Sequence, residues 1–107
     1  MTVTQLAEKL ELKKLSNGED KEVNSCYISD LLSRVLGGCS PNDVWITVQT
    51  SLNMVAVAVM ADISFVILPE DVTAPVNVIL KANDEGLPVY SSSKSAYELA
   101  LLIGDLL

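Results

Sequence analysis

The stretch NMVAVAVMADISFVIL, Asn53 to Leu68, leaves the fewest folds open to this chain. Only Asn53, Asp62 and Ser64 interrupt its apolar character. A membrane-spanning helix needs about 20 predominantly apolar residues. Here the unbroken run is Met54 to Ala61, and the carboxylate of Asp62 follows it, which is costly inside a bilayer. A membrane span is therefore not expected. The stretch divides by composition instead. SLNMVAVAVMAD is punctuated by alanine, and Thr50 or Ser51 can cap its start, so it predicts a helix over Ser51–Ala61. SFVIL is β-branched and aromatic and stops at Pro69, so it predicts a strand. The Val/Ala alternation over Val55–Val59 also has the period of a strand, but both residue types are apolar and separate no wet face from a dry one. A helix apolar nearly all round must be covered widely, by a sheet or by a partner chain.

The flanking sequence extends this pattern. DVWITVQ predicts a strand over Val44–Val48. TAPVNVILKANDEG predicts a helix from Thr73, with Pro75 early in its first turn and Gly86 as its stop. LPVYS predicts a strand, and SSSKSAYELALLIGDLL a serine-capped final helix. From Asp43 onward the order is strand, helix, strand, helix, strand, helix. Such alternation predicts an α/β domain whose sheet is mainly parallel, with right-handed crossovers. The N-terminal part is more mixed. TVTQLAEKL has capping-box spacing between Thr2 and Gln5. LKKLSNGEDKEVNSCYIS suggests two strands about a turn at Asn17–Gly18, and DLLSRVLGG a short helix ended by Gly37–Gly38. A chain of 107 residues suits one domain, 1–107.

Composition narrows the function. The chain carries 7 Lys and Arg against 14 Asp and Glu, a formal charge of −7, which disfavours nucleic acid as a partner. It has no histidine, which removes the commonest general base and metal ligand. Cys26 and Cys39 are its only cysteines, too few for a zinc site by themselves, and reduced, partly buried thiols are expected. No metal or cofactor is expected. The phosphate-binding pattern G-x-x-x-x-G-K-[ST] is absent. The first residues, MTVTQLAEKLELKK, lack the apolar core of a signal peptide, so a cytoplasmic location is expected.

In an open α/β sheet, ligands bind beyond the carboxyl ends of the parallel strands. Three polar loops are predicted there, each leading into a helix: Gln49–Thr50–Ser51, Pro69–Pro75 with Glu70 and Asp71, and Ser91–Ser95 with Ser92, Ser93 and Lys94. Helix N-termini favour anions, so these loops, with Asn53 just inside the first helix, form a candidate site for a small ligand such as a nucleotide. Helix capping explains the same Ser, Thr and Asp residues without any ligand. Asn53 likewise serves a ligand or the loop before it. At this edge Lys94 alone is expected to offset Glu70 and Asp71.

The run CYISDLLSRVLGGCSPNDVWITVQTSLNMVAVAVMADISFVILPED, followed by ANDEGLPVYSSSKSAYELA, resembles stand-alone DRTGG-domain proteins. These are similar to the N-terminal domain of HPr kinase/phosphorylase without its kinase half. YISDLLS, DVWITVQT and EGLPVYSS carry most of the likeness, which extends from LAEKLELKKL to the last helix. The resemblance implies a three-layer α/β/α domain, usually dimeric, with a regulatory rather than catalytic role. It also implies a link to carbon-metabolism regulation or to a hydrogenase-related protein partner. The family's name-giving residues fall where this chain has Gln49–Thr50 and Pro69–Glu70–Asp71, so the Asp-Arg and Thr-Gly-Gly signature is absent. Kinase activity is not carried over, because the P-loop is missing.

The expected function is a non-catalytic regulatory or assembly module that self-associates. The apolar helix Ser51–Ala61 and the final ELALLIGDLL supply surface for a homodimer, although burial in the core would also account for it. The alternative is a nucleotide sensor at the strand ends.

Overall fold

Five strands form one sheet in the order β1-β5-β4-β3-β2. The structure, a computed structural model, describes residues 1–107. Strands β2 (Cys26–Ile28), β3 (Val44–Ile46), β4 (Phe65–Leu68) and β5 (Val89–Ser91) run parallel, with Cys26 opposite Val44, Val44 opposite Phe65 and Val66 opposite Val89. The two-residue β1 (Lys13–Lys14) adds to β5 antiparallel, Lys13 opposite Ser91, so the sheet is mixed.

Successive side chains of a strand point to opposite faces, and here both faces are covered. Trp45, Val66, Leu68 and Val89 point to one face and pack with α2 (Leu32–Gly38), α3 (Leu52–Met60) and α4 (Val76–Glu85). Val44, Ile46, Phe65, Ile67 and Tyr90 point to the other and pack with α1 (Val3–Lys9) and α5 (Ala96–Leu106). This is the three-layer arrangement that the resemblance implied. Strands buried on both faces must be apolar at every position, as FVIL and VWI are. The strand order β2-β3-β4-β5 follows the sequence, so three crossovers of the same hand put α2, α3 and α4 on one face.

The helix ends follow local chemistry. The Ser51 hydroxyl accepts the Met54 N–H at 3.3 Å and starts α3, so Ser51 rather than Thr50 is the cap. Thr2 with Gln5, and Ser95 with Glu98, form capping boxes on α1 and α5. Helix α4 begins later than expected: Pro75 stands just outside it and gives no side-chain cap. Its end is as expected, with Gly86 in the left-handed conformation at φ 69° and its N–H bonded to the carbonyls of Ala82 and Asn83. The β3 ladder is shorter than Val44–Val48, although Thr47 still donates its N–H to the Ile67 carbonyl at 3.1 Å.

The segment around Asn17–Gly18 does not form a hairpin. Its two strands, β1 and β2, lie at opposite edges of the sheet. Between them the chain runs as a strap past the starts of the parallel strands. The Asn17 N–H bonds the Asn83 side chain (2.7 Å), the Glu19 N–H bonds the Gly86 carbonyl (3.2 Å), and the Asn24 N–H bonds the Asn42 carbonyl (3.0 Å). Lys21 pairs with Asp62 at 2.7 Å. These distant partners satisfy backbone groups that a hairpin would have paired locally.

Candidate functional site

All four parallel strands end at one rim of the molecule, and the loops there form two pairs. The first pair joins the ends of β2 and β3. Asp30 accepts hydrogen bonds from the Thr47 hydroxyl (2.8 Å) and the Val48 N–H (2.9 Å). The Asp30 carbonyl accepts from the Gln49 side-chain amide at 2.8 Å. One residue earlier, the Ser29 carbonyl accepts from Trp45 Nε1 at 2.8 Å. Gln49 is thereby half-buried and committed to holding this loop. Thr50 is half-buried beside it, and Ser51 caps α3. Asn53 points to solvent and is bonded neither to its loop nor to the rest of the rim.

The second pair joins the ends of β4 and β5. The Glu70 N–H bonds the Lys94 carbonyl and the Asp71 N–H bonds the Ser92 carbonyl, both at 2.9 Å. The buried Ser92 hydroxyl accepts the Lys94 N–H at 3.1 Å. Ser93 is exposed, and Ser91 belongs to β5 itself. Lys94 is half-buried. At the starts of α3 and α5 and at the turn after β4 a phosphate would meet few free backbone donors, because Ser51 and Ser95 cap those helices while the amides of Glu70 and Asp71 are taken.

The β4–β5 pair also contains backbone that is strained for side-chain-bearing residues. Glu70 and Asp71 both hold left-handed backbone, at φ 56° and 57°. Glycine holds this conformation without a Cβ penalty. For a side-chain-bearing residue the cost is about 1–2 kcal/mol. Two backbone hydrogen bonds hold the turn against that cost. Glu70→Gly is therefore expected to stabilise the fold by about 0.5–1 kcal/mol, the relief of Cβ strain exceeding the added entropy of the unfolded chain. Thermal melting checks this, and a lowered midpoint would contradict it.

Two contributors to the rim had no clear mark in the sequence. Asp30 precedes a short helix and reads there as an ordinary cap, yet its carboxylate ties β2 to β3. Lys13 sits far from the other rim residues in sequence and reaches them only because β1 pairs with β5. It adds an ammonium to the rim opposite Ser91. Lys13 and Ser91 line a groove of about 240 Å³ with Asp71, Thr73 and the apolar side chains of Leu15 and Ile79, among others.

The cysteines lie elsewhere. Burial and the nearby Asp43 carboxylate push the Cys26 thiol up to about 11, and the same two causes raise Cys39. Both are therefore thiols at neutral pH, which disfavours them as nucleophiles. Unfolding releases Cys26 to its ordinary value of 9.0. The unfolded chain then loses this proton first as pH rises, so the contribution of Cys26 is complete below pH 9 and lost between pH 9 and about 11. Urea titrations across that range should show declining stability, with a shallower decline in Cys26→Ala. An equal slope in the variant would contradict the assignment to Cys26.

No helix is long and apolar enough to cross a membrane. No family model matches the chain, and no curated protein matches it. Among solved structures it is similar to the CBS and DRTGG domains of the regulatory region of Clostridium perfringens pyrophosphatase, complexed with its activator diadenosine tetraphosphate. The likeness has a TM-score of 0.74 at 13% identity and covers 95% of this chain but only 45% of the other. At that identity it shows a shared fold, an α/β domain of the kind found in that CBS–DRTGG region.

Proposed function

We propose that this chain is a non-catalytic regulatory domain that works by pairing with a second copy of itself. One observation carries this reading. Helix α3 has no charge along its nine residues, and it leaves Leu52, Val59 and Met60 exposed beside a shallow groove of about 320 Å³ shared with α4. Met60 is 72% exposed, far more than a core role would leave it. The α4 side of the groove contributes Lys81 and Glu85, paired at 3.1 Å, so the face is close to neutral. Copies with a net charge of −7 repel one another, and a neutral apolar face is where they approach at least cost. Twofold packing would bury the same face of both copies. The absence of histidine and the raised thiols support a role without catalysis. The fold shared with a pyrophosphatase regulatory region, and the resemblance to the HPr kinase N-terminal domain, support regulation. A hydrogenase-related protein, the partner implied by the resemblance, would meet the paired form.

Sedimentation at tens of micromolar should show a dimer. Val59→Lys with Met60→Lys should weaken pairing at least tenfold without loss of the helical signal. A wild-type monomer at high concentration would remove the reading.

A second reading, a small-molecule sensor, is favoured by the rim. Lys13, Lys94, Glu70 and Asp71 gather there, and none of them is in an ion pair. The structural neighbour's activator is diadenosine tetraphosphate, so adenine nucleotides are the first ligands to test. In this reading Gln49, Thr50, Ser51 and Asn53 line one side of the rim, and Glu70, Ser91, Ser92, Ser93 and Lys94 the other. Calorimetry with a nucleotide panel should then give saturable heat.

A further inference from the structure

We propose that the groove between β1 and the loop after β4 binds a small zwitterion, an aliphatic α-amino acid. This rests on the sensor reading above and replaces the nucleotide as its ligand. The groove places one ammonium, Lys13, and one carboxylate, Asp71, on an otherwise uncharged lining. Neither charge is paired with a protein group. The hydroxyls of Thr73 and Ser91 stand beside them, and Leu15 and Ile79 contribute an aliphatic wall.

That lining follows from the sheet. Leu15 directly follows β1, its N–H bonded to the Val89 carbonyl, and lines the groove two residues on from Lys13. Lys13 is in register with Ser91, and Leu15 packs with the core on the α4 side, as does Ile79. One charge of each sign suits a ligand that carries the complementary pair, with its carboxylate toward Lys13 and its ammonium toward Asp71. The aliphatic wall suits a short branched side chain.

A nucleotide fits less well on three counts. The volume of about 240 Å³ falls below the roughly 300–1,000 Å³ usual for drug-sized ligands. The single cation of the groove is offset by Asp71. The backbone amides of Glu70 and Asp71, the natural phosphate donors of this turn, already bond Lys94 and Ser92.

The test is calorimetry and amide chemical-shift mapping on the full chain with L-leucine, L-isoleucine and L-valine. Parallel arms use leucinol, which lacks the carboxylate, 4-methylpentanoate, which lacks the ammonium, and AMP, ATP and diadenosine tetraphosphate. Saturable binding of at least one aliphatic amino acid is expected, with shifts at Lys13, Asp71 and Ser91. Each one-charge analogue should bind at least tenfold more weakly. Lys13→Gln and Asp71→Asn should each cost about tenfold with unchanged melting. Binding of a nucleotide but no amino acid would overturn this inference and leave the sensor reading standing. Binding of neither would remove both. Equal binding of leucine and its one-charge analogues would overturn the assignment of Lys13 and Asp71.

Discussion

Gly18→Ala is expected to destabilise the protein by about 2–3 kcal/mol, the range of an overpacked site that must move backbone to make room. In a domain of this size that lowers the melting midpoint by about 10–20 °C. The cause is contact rather than conformation. A Cβ at Gly18 would overlap the Gly86 carbonyl oxygen and Pro88 Cδ, both on the approach to β5. Neither belongs to a flexible side-chain end that can swing aside. The strap would have to lift, and with it the Glu19 N–H bond to the Gly86 carbonyl. Gly37→Ala is the matched control, because its Cβ would meet nothing within 4 Å and it lies in α2. It should gain about 0.5–1 kcal/mol from helix propensity. Urea unfolding of both variants measures the contrast, and a Gly18→Ala protein as stable as the wild type would show that the strap does not seat there.

Ser16→Ala should cost about 2–4 kcal/mol. The buried hydroxyl donates to the Leu87 carbonyl and accepts the Val89 N–H, each at 2.7 Å. Alanine leaves both backbone groups buried and unpaired, at about 1–3 kcal/mol each. Partial relaxation toward water keeps the sum below its maximum. Ser16→Thr retains the hydroxyl and should recover part of the loss. Stability within about 0.5 kcal/mol of the wild type for the alanine variant would mean that water replaces the hydroxyl in both bonds.

These two positions also show where reading the sequence stops. The second half of the fold was legible because each element has a local cause. Ser51 and Ser95 cap their helices, Gly86 ends α4, and FVIL is apolar at each position of a strand covered on both sides. The first half was not. Asn17–Gly18 has the composition of a tight turn, but its partners lie some 70 residues away at Asn83, Gly86 and Pro88. No periodicity encodes such a contact. Strand β1 is two lysines long, and nothing local marks it as the antiparallel edge beside β5.

The candidate site divides in the same way. The sequence located the rim through the predicted order of strands and helices. It overstated what several residues there are free to do. Gln49, Ser51 and Ser92 spend their polar groups on holding the loops, as the capping alternative anticipated for Ser51. Asn53 turned out to face water. Lys13, Asp30 and the paired left-handed residues Glu70 and Asp71 became visible only through long-range pairing and backbone geometry.

The division of the helices between the two faces has a mechanical meaning. Both chain ends lie in the α1–α5 layer, while α2, α3 and α4 fill the opposite one. Anything fused at either terminus is thus delivered to a single side of the molecule. A tether or neighbouring module there would sit across the sheet from α3 and leave the proposed pairing face uncovered.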